Sequence, residues 1–229
     1  MTIIFDDVSM VRRSLQKGTL LSNHRVIDGI TFSVSDGERV GIIGRNGAGK
    51  STLLRLIAGI YRPDSGTISP VDDVAVLLDA GFGLDTQLSG RANVITRAKL
   101  DRLERTEVSR YVSWVHEFSE LEDYFDEPVK TYSTGMVARL VFSLSTARSH
   151  NVILVDEGIG TADAKFQVKA FAQLNNFYMT SSILVMASHS ESVLRSNCTR
   201  GLVLEKGRLV FDGDIDAAIS AYDNGANLS

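Results

Sequence analysis

The 229-residue sequence has little of several features, and each shortage excludes a class of protein. It has a single cysteine, Cys198, so the chain forms no internal disulfide and no cysteine-rich metal cluster. No run approaches the roughly 18–20 consecutive apolar residues that a membrane-spanning helix requires. The formal net charge is -4, which argues against a broad nucleic-acid-binding surface. No charged-then-apolar leader opens the sequence, so we expect a cytosolic protein.

The sequence does contain a glycine-rich motif within an otherwise ordinary globular composition, of which 44% is hydrophobic. Residues 44–51 read Gly-Arg-Asn-Gly-Ala-Gly-Lys-Ser, which is the pattern G-x-x-x-x-G-K-[ST] of a phosphate-binding loop. Glycines let the backbone wrap a polyphosphate closely, with several N–H groups pointing inward. Lys50 then places a cation on the terminal phosphates, and the Ser51 hydroxyl can bind Mg²⁺.

The segments on either side of the motif support this interpretation over a chance glycine-rich turn. Residues 39–43 have the pattern of a buried strand, and residues 52–59 have that of a helix whose N-terminus favours an anion. The sequence therefore predicts that the chain binds a nucleoside triphosphate. The predicted contacts are Gly44, Arg45, Asn46, Gly47, Ala48, Gly49, Lys50, Ser51 and Thr52.

The order of apolar patterns predicts an α/β fold. Short β-prone runs at residues 2–5 and 30–34 predict an antiparallel β subdomain at the N-terminus. Residues 90–149 are helical in pattern and interrupt a core in which strands and helices alternate. We expect one domain over residues 1–229: a P-loop NTPase (RecA-like) core from about 1–89 and 150–229, and an inserted α-helical subdomain at 90–149.

An apolar strand at residues 152–155 ends in two carboxylates, Asp156 and Glu157. By themselves they could cap the following turn. Beside a phosphate loop, however, Asp156 is suited to hold Mg²⁺. Glu157 is suited to orient or deprotonate the attacking water.

Three further elements have both a structural and a functional interpretation. Residues 132–136 (Tyr-Ser-Thr-Gly-Met) precede a helical run, so Ser133 is a good N-cap, and such a helix N-terminus is also an anion site. Asp163, six positions after Glu157, is by itself an ordinary turn or cap residue. His189 follows the strand at 183–186, where a lone histidine is often structural. This histidine nevertheless follows the carboxyl end of a strand, which is the edge of a parallel sheet where ligands bind.

In this order and spacing the elements resemble the nucleotide-binding subunit of ABC transporters over nearly the whole chain. The Tyr-Ser-Thr-Gly-Met form of residues 132–136 resembles the branch that exports capsular polysaccharide, O-antigen or teichoic acid. Residues 78–84 (Leu-Asp-Ala-Gly-Phe-Gly-Leu) and 88–93 (Leu-Ser-Gly-Arg-Ala-Asn) are similar to the same branch.

The resemblance implies an ATPase coupled to polysaccharide transport, with ATP and Mg²⁺ as cofactors and two ATP molecules between two copies of the chain. It implies catalytic roles for Lys50, Glu157 and His189, and contacts to the metal from Ser51 and Asp156. Ser133 and Gly135 of the second copy would close over the γ-phosphate. Asp163 would lie at the interface between the two copies.

The same resemblance implies partners and a location. Two copies of a separate polytopic permease would hold the dimer at the cytoplasmic face of the inner membrane. The transported substrate would be a lipid-linked or capsular polysaccharide, and no nucleic acid is expected. We expect Phe82 and Leu84 to be exposed apolar contacts for the permease.

Two positions depart from the family pattern. Asp79 stands where the family has a glutamine that contacts Mg²⁺ and water. Asp79 can accept hydrogen bonds there but cannot donate one, and we assign it provisional catalytic and metal-binding roles. Residues 9–13 contain no aromatic residue to stack on adenine, so the guanidinium plane of Arg12 is the candidate.

Two alternative functions stay open at this point. A non-transport ATPase of the same superfamily acting on nucleic acid or ribosomes usually has a basic surface, a long coiled-coil insert or a second cassette, and this sequence has none of them. A small-molecule kinase would leave residues 133–135 and His189 unexplained.

Overall fold

The computed structural model describes residues 1–16, 19–77, 83–156 and 164–226. Its strands are β1 (Thr2–Gln16), β2 (Thr19–Ser35), β3 (Arg39–Ile43), β4 (Ser65–Ile68), β5 (Val74–Leu77), β6 (Val152–Asp156), β7 (Ile183–Ala187), β8 (Arg200–Glu205) and β9 (Arg208–Asp214). Its α-helices are α1 (Lys50–Ile57), α2 (Gly90–Leu100), α3 (Arg105–Ser119), α4 (Thr134–Thr146), α5 (Ala164–Thr180), α6 (Glu191–Asn197) and α7 (Ile215–Ala226). None of these helices is both long and apolar enough to cross a membrane.

The chain forms two compact units. The first comprises Met1–Val76, His150–Glu157 and Ser181–Ser229, and the second comprises Leu77–Ser149 and Gly158–Thr180. The first unit therefore contains the strands, apart from the last residue of β5, and the second contains helices α2 to α5. The predicted α/β class, with a helical segment between core strands, is confirmed.

The N-terminal sheet is a three-stranded antiparallel sheet in the order β2-β1-β4. Alternate residues of its strands are buried, including Ile3 and Phe5 on β1 and Phe32 and Val34 on β2. This period of two leaves one face of the sheet on the core, as the sequence pattern predicted. β1 and β2 continue to pair as a long ribbon as far as Gln16 and Thr19, well beyond the predicted run at residues 2–5.

The second sheet has six strands in the order β5-β6-β7-β3-β8-β9. β6, β7, β3 and β8 run parallel, and β9 returns antiparallel to β8. The register aligns Asp156 at the end of β6 with Ala187 at the end of β7, and Ala187 with Ile42 near the end of β3. The carboxyl ends of three neighbouring strands therefore bring residues 44–51, Asp156 and the segment leading to His189 to one edge of the sheet.

The helical unit has its own core. α3 begins with a reciprocal cap between Glu104 and Glu107, and its apolar stripe buries Val112 and Val115. The hydroxyl of Tyr111 donates a 2.8 Å hydrogen bond to the carbonyl oxygen of Leu144 on α4. This hydrogen bond joins α3 to α4 inside the apolar core of the unit.

The residues 88–93 that resembled an exporter motif build the start of α2. The Ser89 hydroxyl caps the helix by accepting a hydrogen bond from the Ala92 amide at 3.2 Å. The buried Asn93 side chain accepts from the Asp85 amide at 2.8 Å and donates to the Asp85 and Ser89 carbonyls at 2.9 Å each. Leu84 is half-buried against this unit's core, so our expectation that it is exposed was wrong. Phe82 lies outside the described residues.

Candidate functional site

The phosphate-binding loop connects β3 to α1, which begins at Lys50, two residues earlier than the pattern predicted. Gly49 caps the helix with a φ of 110°, a left-handed conformation that favours glycine. A Cβ atom at Gly49 would lie 2.8 Å from the Val26 carbonyl oxygen, and one at Gly44 would lie 2.5 Å from that of Leu204. The loop's conformation therefore requires glycine at both positions, as a backbone cradle for phosphate does.

Lys50 is held inside this loop. Its side chain is buried, and its Nζ atom donates hydrogen bonds to the carbonyl oxygens of Gly44 at 2.7 Å and Arg45 at 3.4 Å. Burial lowers the pKa of the Lys50 amine, and the negative charge of Asp156 acts in the opposite direction. Lys50 is thus a partly desolvated cation, for which a phosphate oxygen is a stronger partner than a neutral carbonyl.

Two side chains with oxygen atoms belong to the same edge: Asp156, whose charge acts on Lys50, and Ser51, the next residue after Lys50. Asp156 is half-buried at the end of β6, and Ser51 is half-buried in the first turn of α1. Carboxylate and hydroxyl oxygens are the kind of ligand that Mg²⁺ takes beside a bound phosphate. Ser51 and Asp156 therefore fit the predicted metal site. Asp79, Glu157 and Asp163 lie outside the described residues, so their roles remain predictions.

His189 reaches the loop from the neighbouring strand. Its Nε2 atom lies 2.8 Å from the Oδ1 atom of Asn46. Burial and, next, the positive charge of Lys50 lower the pKa of His189 below its ordinary value. Because an amide Oδ1 atom only accepts hydrogen bonds, this contact requires a proton on Nε2. His189 therefore lies at the same edge of the sheet as the phosphate loop, as predicted.

Sequence reasoning did not find the pairing of Asn46 with His189. The two residues are 143 positions apart, and Asn46 occupies a position that the loop pattern leaves unspecified. The only available signal was topological, since both residues follow buried strands whose carboxyl ends meet at one edge.

Ser133 and Gly135 lie in the helical unit, at the start of α4. The Ser133 hydroxyl accepts a 3.2 Å hydrogen bond from the Met136 amide, so Ser133 is the N-cap of this helix. Ser133 is exposed and Gly135 is half-buried. The structural interpretation of Ser133 is confirmed, and an anion contact at this helix end remains a prediction.

Arg12, the candidate platform for adenine, is exposed on β1. Its partner in the ribbon register is His24 on β2, which is also exposed. An imidazole opposite Arg12 is a second planar group that the sequence analysis did not consider. Contact between Arg12 and the adenine base remains a prediction.

Comparison with known proteins gives a consistent result. A family model described as "ABC transporter" matches residues 27–160. The chain is 40% identical over 190 residues to an O-antigen export system ATP-binding protein of Yersinia enterocolitica, covering 83% of this chain and 79% of the relative. It is 40% identical over 205 residues to a polysialic acid transport ATP-binding protein of Escherichia coli, covering 89% and 93%.

Among solved structures, a dimeric ATP-binding cassette in a post-hydrolysis state with ADP and Pi superposes with a TM-score of 0.72 at 19% identity. The match covers 93% of this chain and 98% of that one. At this level of identity the similarity concerns the fold alone, and it agrees with the predicted P-loop core.

Proposed function

The chain belongs to the ABC transporter family, and we propose that it is the ATP-hydrolysing subunit of an exporter of a cell-surface polysaccharide. The observation that carries the proposal is the meeting of Lys50, Asp156 and His189 at one edge of the six-stranded sheet. The substrate class rests on the relatives, which are named for O-antigen and polysialic acid transport.

ATP would bind with its phosphates in the loop formed by residues 44–52. The backbone amides of the loop and the positive end of α1 favour the polyphosphate, and Lys50 neutralises its terminal charge. Arg12 would contact the adenine ring from β1. Because the loop binds phosphates rather than the base, most of the affinity comes from the triphosphate.

Hydrolysis needs a metal and an activated water. Ser51 and Asp156, with Asp79, would hold Mg²⁺, which when bound neutralises charge on the phosphates. Glu157 would orient or deprotonate the water, and His189 would donate a hydrogen bond to the γ-phosphate. Of the described residues, Ser51 lies in α1, Asp156 ends β6, and His189 follows the end of β7 by two positions.

Two copies of the chain would share two ATP molecules. The exposed N-terminus of α4, with Ser133 and Gly135, is an anion site by its backbone chemistry. In an isologous dimer this site would close over the γ-phosphate bound by the second copy, with Asp163 at the seam. The dimer would bind two copies of a membrane permease and lie at the cytoplasmic face of the inner membrane.

The shared site is tested with Glu157→Gln, which keeps the shape of the side chain but removes the carboxylate that activates water. We expect the purified variant to bind ATP with Mg²⁺ and to sediment as a dimer, whereas Lys50→Ala stays monomeric. A Glu157→Gln protein that binds ATP and remains monomeric at all concentrations, with and without its permease, contradicts the shared site.

The transport role is tested in the source cell. Replacing the chromosomal copy with the Lys50→Ala form should leave the glycan inside the cell and remove it from the surface, as detected with a glycan-specific lectin or antibody. Normal surface glycan, combined with ATPase activity that nucleic acid or ribosomes stimulate, would instead support the non-transport alternative.

A further inference from the structure

Asn46 and His189 connect two elements of the site through their side chains, at 2.8 Å between Oδ1 and Nε2. We propose that Asn46 is the resting partner of His189, and that the terminal phosphate of ATP must displace it, so that this pair discriminates ATP from ADP. The inference rests on the proposed function, because it concerns regulation of the same nucleotide site.

The backbone fixes where the two side chains meet. β3 and β7 are neighbours in the sheet, with Ile42 aligned with Ala187. Asn46 follows Ile42 by four residues and His189 follows Ala187 by two, so both loops leave the sheet from the same level. The two side chains are exposed, whereas the strands beneath them are buried. A change of partner therefore needs only side-chain rotation.

The loop supplies a substitute acceptor for Lys50 as well. Its Nζ atom donates to the Gly44 carbonyl at 2.7 Å. Thus both donors that the proposed function assigns to the phosphates donate in this structure to neutral oxygens of residues 44–46. A charged phosphate oxygen makes a hydrogen bond about twice as strong as a neutral one, so it displaces these acceptors.

Lys50 and His189 each exchange a neutral acceptor for a phosphate oxygen, but different nucleotides cause the two exchanges. The β-phosphate, present in both ADP and ATP, lies in the loop with Lys50. His189 approaches from the next strand and is assigned to the γ-phosphate, which ADP lacks. ADP therefore leaves the Asn46–His189 hydrogen bond intact, and ATP must break it. The bond reforms after the γ-phosphate departs.

The contact with Asn46 fits only one tautomer of the neutral imidazole. An amide Oδ1 atom only accepts hydrogen bonds, so the neutral ring must carry its proton on Nε2 to make this contact. That is the tautomer that donates from the same atom to a phosphate oxygen. Asn46 is thus a positioning residue, which prepares His189 for the γ-phosphate and competes with it.

The affinity test uses the full-length chain and the near-isosteric variant Asn46→Leu, with Asn46→Ala as a second form. Titration calorimetry would compare ADP with a slowly hydrolysed ATP analogue, both with Mg²⁺. Loss of the competing acceptor should raise the preference for the analogue over ADP by about 2- to 10-fold, the range set by one neutral hydrogen bond. In a His189→Ala background the same substitution should leave the preference unchanged.

The binding measurements distinguish failure of this inference from failure of the proposed function. Equal shifts in ADP and analogue affinity, or a shift that persists in the His189→Ala background, overturn the inference. Failure of the unmodified chain to bind either nucleotide overturns the proposed function instead.

A spectroscopic test reports the hydrogen bond itself. The sequence has four histidines, so ¹⁵N-histidine labelling gives a spectrum in which His189 is identified by its absence from His189→Ala. We expect the same Nε2 signal of His189 in free and ADP-bound protein, a changed Nε2 shift with the ATP analogue, and a changed Nε2 shift in free Asn46→Leu. An identical His189 signal in Asn46→Leu and the unmodified chain would overturn the inference.

Discussion

The backbone amide of Gly207 donates a 3.0 Å hydrogen bond to the carbonyl oxygen of Ala48, which joins the β8–β9 turn to the phosphate loop. The Gly207 carbonyl in turn accepts a 2.8 Å hydrogen bond from the Asp28 amide of β2. Gly207 has a φ of 82°, and a Cβ atom there would lie 2.5 Å from the Val26 carbonyl oxygen. The turn is thus held between β2 and the loop by backbone hydrogen bonds, and the next residue, Arg208, adds an ion pair to Asp28 with 2.7 Å between Nε and Oδ2.

We predict that Gly207→Ala weakens ATP binding by about 10-fold or more, because a displacement of the order of 1 Å at a site has effects of this size or larger. The added methyl group must move either Val26 or the turn, and moving the turn shifts Ala48. Titration with a fluorescent ATP analogue measures the effect. Left-handed strain at an alanine should also cost about 1–3 kcal/mol of stability.

Gly37→Ala is the matched control. Gly37 has a φ of 86°, close to that of Gly207, but a Cβ atom there would meet nothing within 4 Å. Gly37→Ala should therefore share the cost in stability of the left-handed alanine, without the clash, and keep its affinity for ATP. If the two variants bind ATP equally well, the Gly207 turn does not position the loop.

The second prediction concerns Asn93, whose buried amide connects the start of α2 to the preceding loop. In Asn93→Asp the acceptor remains, but the donor that faces the carbonyl oxygens of Asp85, Leu88 and Ser89 is lost. We expect the free energy of unfolding to fall by about 1–3 kcal/mol, the cost of unsatisfied buried groups. Urea denaturation, followed by the fluorescence of Trp114 on α3, measures this free energy. Trp114 is the single tryptophan and belongs to the same compact unit as Asn93.

Thr96→Ala is the control for this substitution, because Thr96 lies on α2 but is exposed. It should change the unfolding free energy by less than about 0.5 kcal/mol. Similar losses for both variants would mean that Asn93 has no special role in this loop.

The third prediction concerns Cys198, the single cysteine. It is buried, and burial raises the pKa of its thiol to about 12. Since the thiolate is the reactive form, Cys198 should resist alkylation by iodoacetamide at pH 8 in the folded protein and react fully in guanidinium chloride. Rapid labelling of the folded chain, detected by mass spectrometry, would contradict its buried position.

The fourth prediction is a pH dependence of ATP binding. Burial and the charge of Lys50 lower the pKa of His189 from its ordinary value. An anionic γ-phosphate beside the ring favours the imidazolium and so raises this pKa. ATP binding should therefore take up protons at acidic pH, and affinity should rise as the pH falls through about 6.5.

Calorimetry near pH 6 in two buffers of different ionisation enthalpy counts the protons. His189→Gln serves as the reference, because titration of the nucleotide itself is common to both proteins. The unmodified chain should take up more protons than the variant. Equal uptake would place His189 away from the γ-phosphate.

The strands that position the site could be predicted because each is a continuous apolar run ending in a chemically distinctive residue. Residues 39–43 lead to the glycine loop, and residues 152–155 lead to Asp156. The length of the β1–β2 ribbon could not be predicted in the same way. Pairing of Arg12 with His24 depends on the opposite strand, and neither residue belongs to an alternating apolar pattern.

The site itself was predictable as a set of residue types but not as a set of contacts. Lys50 and His189 were found from motif and strand order. Their partners in the free protein, the Gly44 carbonyl and the Asn46 amide, depend on loop geometry that no sequence spacing encodes. In the same way, the contact of the Gly207 turn with Ala48 arises from the packing of strands that are distant in sequence.

The position of β3 in the six-stranded sheet determines when the site can exist during synthesis. Both of its neighbours, β7 and β8, come from the last third of the chain and begin at Ile183 and Arg200. At about 5–20 residues per second, a ribosome needs roughly 7–30 s to add the residues between β3 and β7. Throughout that interval the strand that leads to the phosphate loop has neither sheet partner. A nascent chain that stops before Ile183 therefore exposes two unpaired edges of an apolar strand, which makes release of an incomplete chain an aggregation hazard.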